Sequence, residues 1–298
     1  MVPSSGGPFL GAVELGGSKV LCAVGRAHDE IVAEHRIETR DPSSTLAEVE
    51  DFFESYRGRL RAIGIASFGP LELDRAQASW GSLLRTPKAG WSGTPLTSRL
   101  AGRFGVPVDI DTDVNAAALA EQRWGAGQGV DPCVYITVGT GVGVGVVIEG
   151  RSLQGLMHPE LGHVRAADLC SFPGVCPFHG RCIEGVATAP ALRARTGIAP
   201  EALRDDDPVW MLEAAYLGQL VTLCVLAYSP RRIVLGGGVL ERVGLLSRVR
   251  AEVLRNLGDY VPRAELSVVG MESFVVAPAL GPRAGLAGAF LLAGRCAS

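Results

Sequence analysis

One short design is written twice in this chain, and the duplication limits its possible folds more than any other feature. Residues 11–25 read GAVELGGSKVLCAVG and residues 134–150 read VYITVGTGVGVGVVIEG. Each joins two apolar strands through a tight glycine turn with a hydroxyl or small residue, the pattern of a β-hairpin. Turns of Gly-Gly-Ser or Gly-Thr-Gly lack bulky side chains, so their N–H groups can lie flush against an anion. Around the hairpins, strand and helix alternate. STLAEVEDFFESYRGRL (44–60) has helical spacing and opens on a capping-box-like Ser/Thr and Glu. RAIGIASFGPLEL reads as a buried strand entering a turn, and VPVDIDTDVNAAALAEQRWGAG as strand, polar corner and Ala-rich helix. VWMLEAAYLGQLVTLCVLAYSP is a long apolar helix, RRIVLGGGVL a strand with a glycine turn, and GPRAGLAGAFLLAG a closing helix. The result is an α/β chain of two related halves, with a nucleotide-sized cleft expected between two lobes.

The 298 residues suffice for two domains, and 47% hydrophobic with 20% charged residues is a globular balance. Net charge is −3 and the basic residues are scattered, so a nucleic-acid partner is not expected. The opening MVPSSGGPFLGAVEL lacks the basic-then-apolar order of a secretory signal, and no apolar run is judged long enough to span a membrane. The expectation is a cytoplasmic protein with no membrane partner.

Cys22, Cys133 and Cys224 sit in apolar runs and read as small buried hydrophobes, and Cys296 lies in the tail. The strip 158–185, HPELGHVRAADLCSFPGVCPFHGRCIEG, holds three of the seven cysteines and three of the five histidines. Cys176, His179 and Cys182 are spaced three and three, and His163 lies thirteen residues before Cys176. These four can supply the N/S ligands of a tetrahedral Zn²⁺. A Cys176–Cys182 disulfide and three unlinked surface residues are the alternatives; a reducing compartment favours the metal. Cys170 is extra to the pattern and reads as a bystander, with substitution for one of the ligands as the alternative, while His158 and Pro159 shape the turn.

ELGGSK, DTDVNAAALAE, YITVGTGVGVG, HPELGH, CPFHGRCIEG and RIVLGGGV follow one another in an order that resembles the ROK family of sugar kinases. Within it, the chain looks like the bacterial zinc-containing fructokinases. The resemblance implies a two-lobed actin-like fold, ribonuclease-H-like and duplicated, with ATP in the cleft. It implies a small lobe, 1–117, joined by a C-terminal helix at about 283–298, and a large lobe, 118–282, carrying the zinc loop 158–185. Asp109, Asp111 and Asp113 recur with a period of two at the strand-to-helix corner, a spacing that puts them on one face of an extended strand. An Asp there is commonly a helix cap; the resemblance makes Asp113 the general base.

It also gives sugar contacts at Glu160, His163 and Glu184, with Gly69, Lys88 and Thr112 beside them. Ligand bonds at His163 and Cys182 would pin the two glutamates at the mouth of one pocket, where fixed carboxylates suit sugar hydroxyls. The phosphates fall to Gly16, Gly17, Ser18 and Lys19 and to Gly139, Thr140 and Gly141, and the adenosine side to Gly236, Gly237 and Gly238. No G-x-x-x-x-G-K-[ST] is present. Mg²⁺ is expected on the β- and γ-phosphates. The zinc, with His163, Cys176, His179 and Cys182 filling its coordination, would be structural.

Glu14 stands where many members have Asp, and Ser18 where Thr is usual. TPK at 86–88 and the short CPFHG lean toward fructose; glucose, mannose and N-acetylmannosamine are the alternative substrates. A sugar-responsive regulator would need a helix-turn-helix module before the first glycine turn, where about ten residues stand. A homodimer is expected by analogy alone.

Overall fold

The computed structural model describes residues 8–297; residues 1–7 and 298, included in the expected lobe boundaries, lie outside the described residues. The chain divides into two units, one of Met1–Ala120, Gln154–His158 and Arg283–Ser298, the other of Glu121–Leu153 and Pro159–Pro282.

The first unit is built on a five-stranded sheet of β1 (Phe9–Leu15), β2 (Lys19–Gly25), β3 (Ile31–Glu38), β4 (Leu60–Ser67) and β5 (Val108–Thr112), in the order β3-β2-β1-β4-β5. β1 and β2 form the first hairpin, closed where Leu15 pairs with Val20, and β4 and β5 run parallel to β1. Helices α1 (Pro42–Glu54) and α2 (Thr97–Phe104) contribute Phe53, Leu100 and Phe104 to a core with Val13, Leu15, Ile63 and Ile65. The closing helix Ala284–Cys296 packs on β1, β4 and β5. A sheet covered on both faces needs apolar residues at successive positions, which is why β4 reads AIGIA, buried at every position, after the exposed Arg61.

The helix expected over 44–60 is displaced toward the N-terminus. Asp41, extended at φ −69 and ψ 157, accepts the Ser44 N–H at 3.0 Å, and Pro42 opens α1. A capping Asp followed by Pro is a stronger start than the Ser/Thr–Glu box, so Asp41 is the cap. The helix ends at Glu54; Gly58 takes φ +75 in the turn, and Leu60 already belongs to β4.

α3 (Asp113–Trp124) follows β5 directly and is cut by the unit division after Ala120. The second unit repeats the sheet with β6 (Cys133–Val138), β7 (Val142–Ile148), β8 (Arg151–Ser152), β9 (Arg232–Gly236) and β10 (Val275–Val276), ordered β10-β9-β6-β7-β8. β6 and β7 are the second hairpin, and β9 runs parallel to β6. Its helices are α4 (Ile183–Ala187), α5 (Ala189–Thr196), α6 (Val209–Tyr228), α7 (Leu245–Leu257) and α8 (Met271–Phe274).

α6 corrects one reading of the sequence: at 20 residues it is long and apolar enough to cross a membrane. In this unit it is a core helix, with Trp210, Tyr216, Leu217, Leu220 and Val221 almost wholly buried and α7 packed against it. It also buries Glu213, which meets Arg195 at 3.4 Å. Burial pushes the Glu213 carboxyl well above its usual range against the pull of that guanidinium.

Candidate active site and metal centre

In the first unit the β1–β2 turn is held by its carbonyls. Gly16 O accepts from Thr39 Oγ1 at 2.8 Å, Gly17 O from Lys88 Nζ at 2.5 Å, Ser18 O from Thr39 N at 3.1 Å, and Lys19 O from Gly16 N at 2.9 Å. Fastening the carbonyls inward turns the exposed residues Gly17 and Ser18 into N–H donors available to an anion. Lys88, expected among the sugar contacts, is therefore placed on the first glycine turn. It is delivered by a loop anchored on Trp91, which is 0% exposed and donates Nε1–H to Arg40 O at 2.8 Å.

Glu14, near the end of β1, is singled out by the resemblance without a role, and the structure shows its environment. Its Oε2 is buried with no hydrogen-bond partner among the described residues. Burial first, then the nearby charge of Asp113, raises its pKa from 4.5 to about 7. Gly285 packs beside it, and a Cβ there would lie 2.6 Å from Glu14 Oε1, so the carboxyl would have to move. The available signal was a lone acid inside the apolar strand FLGAVEL.

Asp113 does not continue the extended alternation of Asp109 and Asp111, because it is the first residue of α3. Nor does it hold the cap's usual bond: Thr112 Oγ1 accepts the Asn115 N–H at 3.1 Å, so Thr112, 4% exposed, caps the helix. Asp111 is buried and binds Thr112 N and Asn115 Nδ2, and Asp109 pairs with Arg75. The half-buried Asp113 accepts only its neighbour Val114 N–H at 2.8 Å among the hydrogen bonds of the described residues. Burial raises its pKa to about 6 despite that N–H. Gly69 lies against the His158 ring, and His158 Nε2 accepts the Leu71 N–H at 3.1 Å. His158 therefore anchors a segment of the first unit and is not among the clustered donors.

The second unit gathers His163, Cys176, His179 and Cys182, with four donor atoms all within 4.8 Å of one another. His163 Nδ1 is 3.8 Å from Cys176 Sγ and 3.6 Å from Cys182 Sγ, and His179 Nδ1 is 3.6 Å from Cys176 Sγ. A tetrahedral Zn²⁺ asks for donor separations of roughly 3.3–3.8 Å; these three contacts match it, and the widest pair, within 4.8 Å, would close on binding the ion. Both thiols are free. Cys170 stands outside the cluster, 3.5 Å from Tyr216 Oη. Glu184 Oε1 is 3.9 Å from His163 Nε2, and its Oε2 accepts the Val142 N–H at 3.2 Å. Glu160 opens the turn that carries His163, whose N–H donates to Glu160 O at 3.0 Å.

The second glycine turn, Gly139, Thr140 and Gly141, is closed by Gly139 N on Gly141 O at 2.9 Å. Gly236 ends β9, Gly237 takes φ +96, and Gly238 opens the following 3₁₀ turn. A buried carboxylate missed by the sequence reading, Glu121, binds the N–H groups of Ala126, Ala279 and Leu280, stapling the segment after β10.

A duplicated α/β frame with one glycine turn in each sheet, acids beside the first and a Cys/His cluster beside the second, defines a phosphate-handling class of protein. The chain belongs to the ROK family, which it matches over residues 10–295. It is 41% identical to a fructokinase of Zymomonas mobilis over 96% of each chain. Its fold superposes on a ROK hexokinase from Thermus thermophilus with a TM-score of 0.76 and 29% identity, covering 96% of this chain and 98% of that one. A ROK glucokinase from Streptomyces griseus, in complex with glucose and AMPPNP, gives a TM-score of 0.73 at 26% identity, covering 96% and 99%. The fold class is the duplicated, actin-like α/β fold of these kinases.

Proposed function

We propose that the chain is an ATP-dependent fructokinase that converts D-fructose to D-fructose 6-phosphate. The observation carrying the chemistry is Asp113, a half-buried carboxyl whose pKa is held near 6 and whose capping duty falls to Thr112. A base with that pKa is largely ionised at neutral pH yet still accepts a proton readily. In the proposed step the sugar 6-oxygen bonds to the γ-phosphorus as the bond to the bridging oxygen breaks. The hydroxyl proton passes to Asp113 and ADP leaves.

The N–H groups of the turns at Gly16, Gly17, Ser18 and Lys19 and at Gly139, Thr140 and Gly141 are assigned to phosphate oxygens. Gly236, Gly237 and Gly238 are assigned to the adenosine side. Lys88, fixed on Gly17 O, adds positive charge beside the first turn. Mg²⁺ would supply charge neutralisation on the phosphates; the unpartnered Glu14 oxygen, with Asp113 nearby, offers the hard oxygen donors it requires. Zinc, held by His163, Cys176, His179 and Cys182, would fix the loop and, with four protein ligands, activate no water. Glu160, His163 and Glu184, with Gly69 and Thr112, are assigned to the sugar side. AMPPNP in the Streptomyces griseus relative supports ATP as donor, and the higher identity to a fructokinase than to that glucokinase supports fructose. A cytoplasmic homodimer completes the reading.

The test is a coupled ADP-release assay with fructose, glucose, mannose and N-acetylmannosamine. Fructose should give the highest kcat/KM. Faster turnover of another sugar would reassign the substrate, and no turnover with any of them would end the kinase reading.

A further inference from the structure

Three ties bind the Cys/His cluster to the second glycine turn inside one unit. The first is Glu184, whose Oε2 accepts the N–H of Val142, the residue after the turn, at 3.2 Å while Oε1 lies 3.9 Å from His163 Nε2. The opposite ring nitrogen, Nδ1, faces the sulfurs of Cys176 and Cys182. The second is Gly162, next to His163, which approaches so closely that a Cβ there would lie 2.0 Å from Val142 O. The third is the junction of α4 and α5: Thr188 Oγ1 donates to Glu184 O at 2.9 Å, and Ala189 N to Gly139 O at 2.9 Å.

The electrostatic sign of this arrangement matters. A carboxylate bonded to an N–H at the edge of an anion-receiving turn repels a phosphate there. A cation on the far side of His163 offsets that charge across the 3.9 Å between Nε2 and Glu184 Oε1. We infer that Glu184 is a positioning residue that couples metal occupancy of the cluster to nucleotide affinity at the second glycine turn. The inference rests on the kinase reading for its nucleotide and adds a link that reading does not contain. Linkage requires the reverse effect too: nucleotide tightens the hold on the metal by the same factor.

The experiment measures ADP affinity by calorimetry for zinc-loaded and chelator-treated wild type and Glu184→Gln. Wild type should lose about five-fold or more in affinity when zinc is removed. Glu184→Gln, which keeps an acceptor for Val142 without the charge, should bind ADP nearly equally in both states. Zinc release from loaded wild type into a chromogenic chelator should slow by a similar factor when ADP is saturating. That measurement decides the matter even where the metal-free chain fails to fold. Unchanged release in the presence of bound ADP, or a Glu184→Gln chain as metal-sensitive as wild type, overturns the link alone. Absence of ADP binding to loaded wild type instead overturns the kinase reading and takes the link with it.

Discussion

The two units share strand order and polarity, β3-β2-β1-β4-β5 against β8-β7-β6-β9-β10, yet hold their polar groups by different means. In the first, β3 has eight residues and β5 five; in the second, the corresponding β8 and β10 have two each. Among the described residues the first unit places only α1 between β3 and β4, whereas the second places the Cys/His loop and α4, α5 and α6 between β8 and β9. Glu14 in β1 stands where Thr137 stands in β6, one residue before the strand's end. Beside its glycine turn, the first half thus sets carboxyls whose pKa values burial lifts toward neutrality. The other fixes a loop through donors converging on a small volume. A hairpin and three strands suffice to define the frame, and the chemistry diverges in what is hung on it.

The largest expected effect breaks the first half without touching the second. Asp113→Asn should reduce kcat by about 10²–10⁴ in the coupled assay, with bound zinc unchanged; near-normal turnover would remove Asp113 as base. The converse is Cys182→Ser, which should lose the metal by elemental analysis and raise the KM for fructose by about 10-fold or more. A Cys182→Ser chain that retains full zinc would place the metal elsewhere.

The third prediction concerns Glu14, which binds its proton more tightly folded than unfolded. Its stabilising contribution is complete below pH 4.5 and is lost as pH rises through about 7. Asp113, raised from 3.8 to about 6, acts in the same sense. In a chelator, denaturant titration should therefore show higher stability at pH 5 than at pH 8. Glu14→Gln should shrink that difference by about 2 kcal/mol, less than the full shift implies because the carboxyl is partly exposed. A stability rising from pH 5 to pH 8 would contradict the buried pair. The smallest effect separates cap from acid: Thr112→Ala should cost about 1 kcal/mol of stability, and Asp113→Asn much less. The opposite ranking would return the cap to Asp113.

Hairpins, the long core helix and the closing helix were legible because periodicity and glycine turns are local signals. The zinc-type spacing was legible for the same reason: Cys176, His179 and Cys182 lie within one short turn. What escaped depends on contacts between distant segments. Nothing near Lys88 says that its ammonium reaches Gly17 O, 71 positions away. Likewise Glu121, in an Ala-rich helix, gives no hint of the N–H groups at Ala279 and Leu280. The start of α1 was misplaced because two capping signals compete within four residues, and backbone extension at Asp41 decides between them. The apolar length of α6 was underrated because Glu213 and Gln219 interrupt the pattern on the page, while in space the acid is buried against Arg195.

The seven thiols also give the molecule an internal gauge. Cys22, Cys133 and Cys224 are fully buried; burial drives all three pKa values up, to about 12 for Cys133 and Cys224. An alkylating reagent at neutral pH will pass them over. Cys170 reacts first: burial, which raises its pKa, is outweighed by the Tyr216 hydroxyl, the Phe172 N–H and two arginines. Cys176 and Cys182 are themselves 7% and 1% exposed, and burial lifts the Cys182 pKa to about 11. Any reagent uptake gained on adding a chelator therefore counts the chains in which loss of metal also opens the loop.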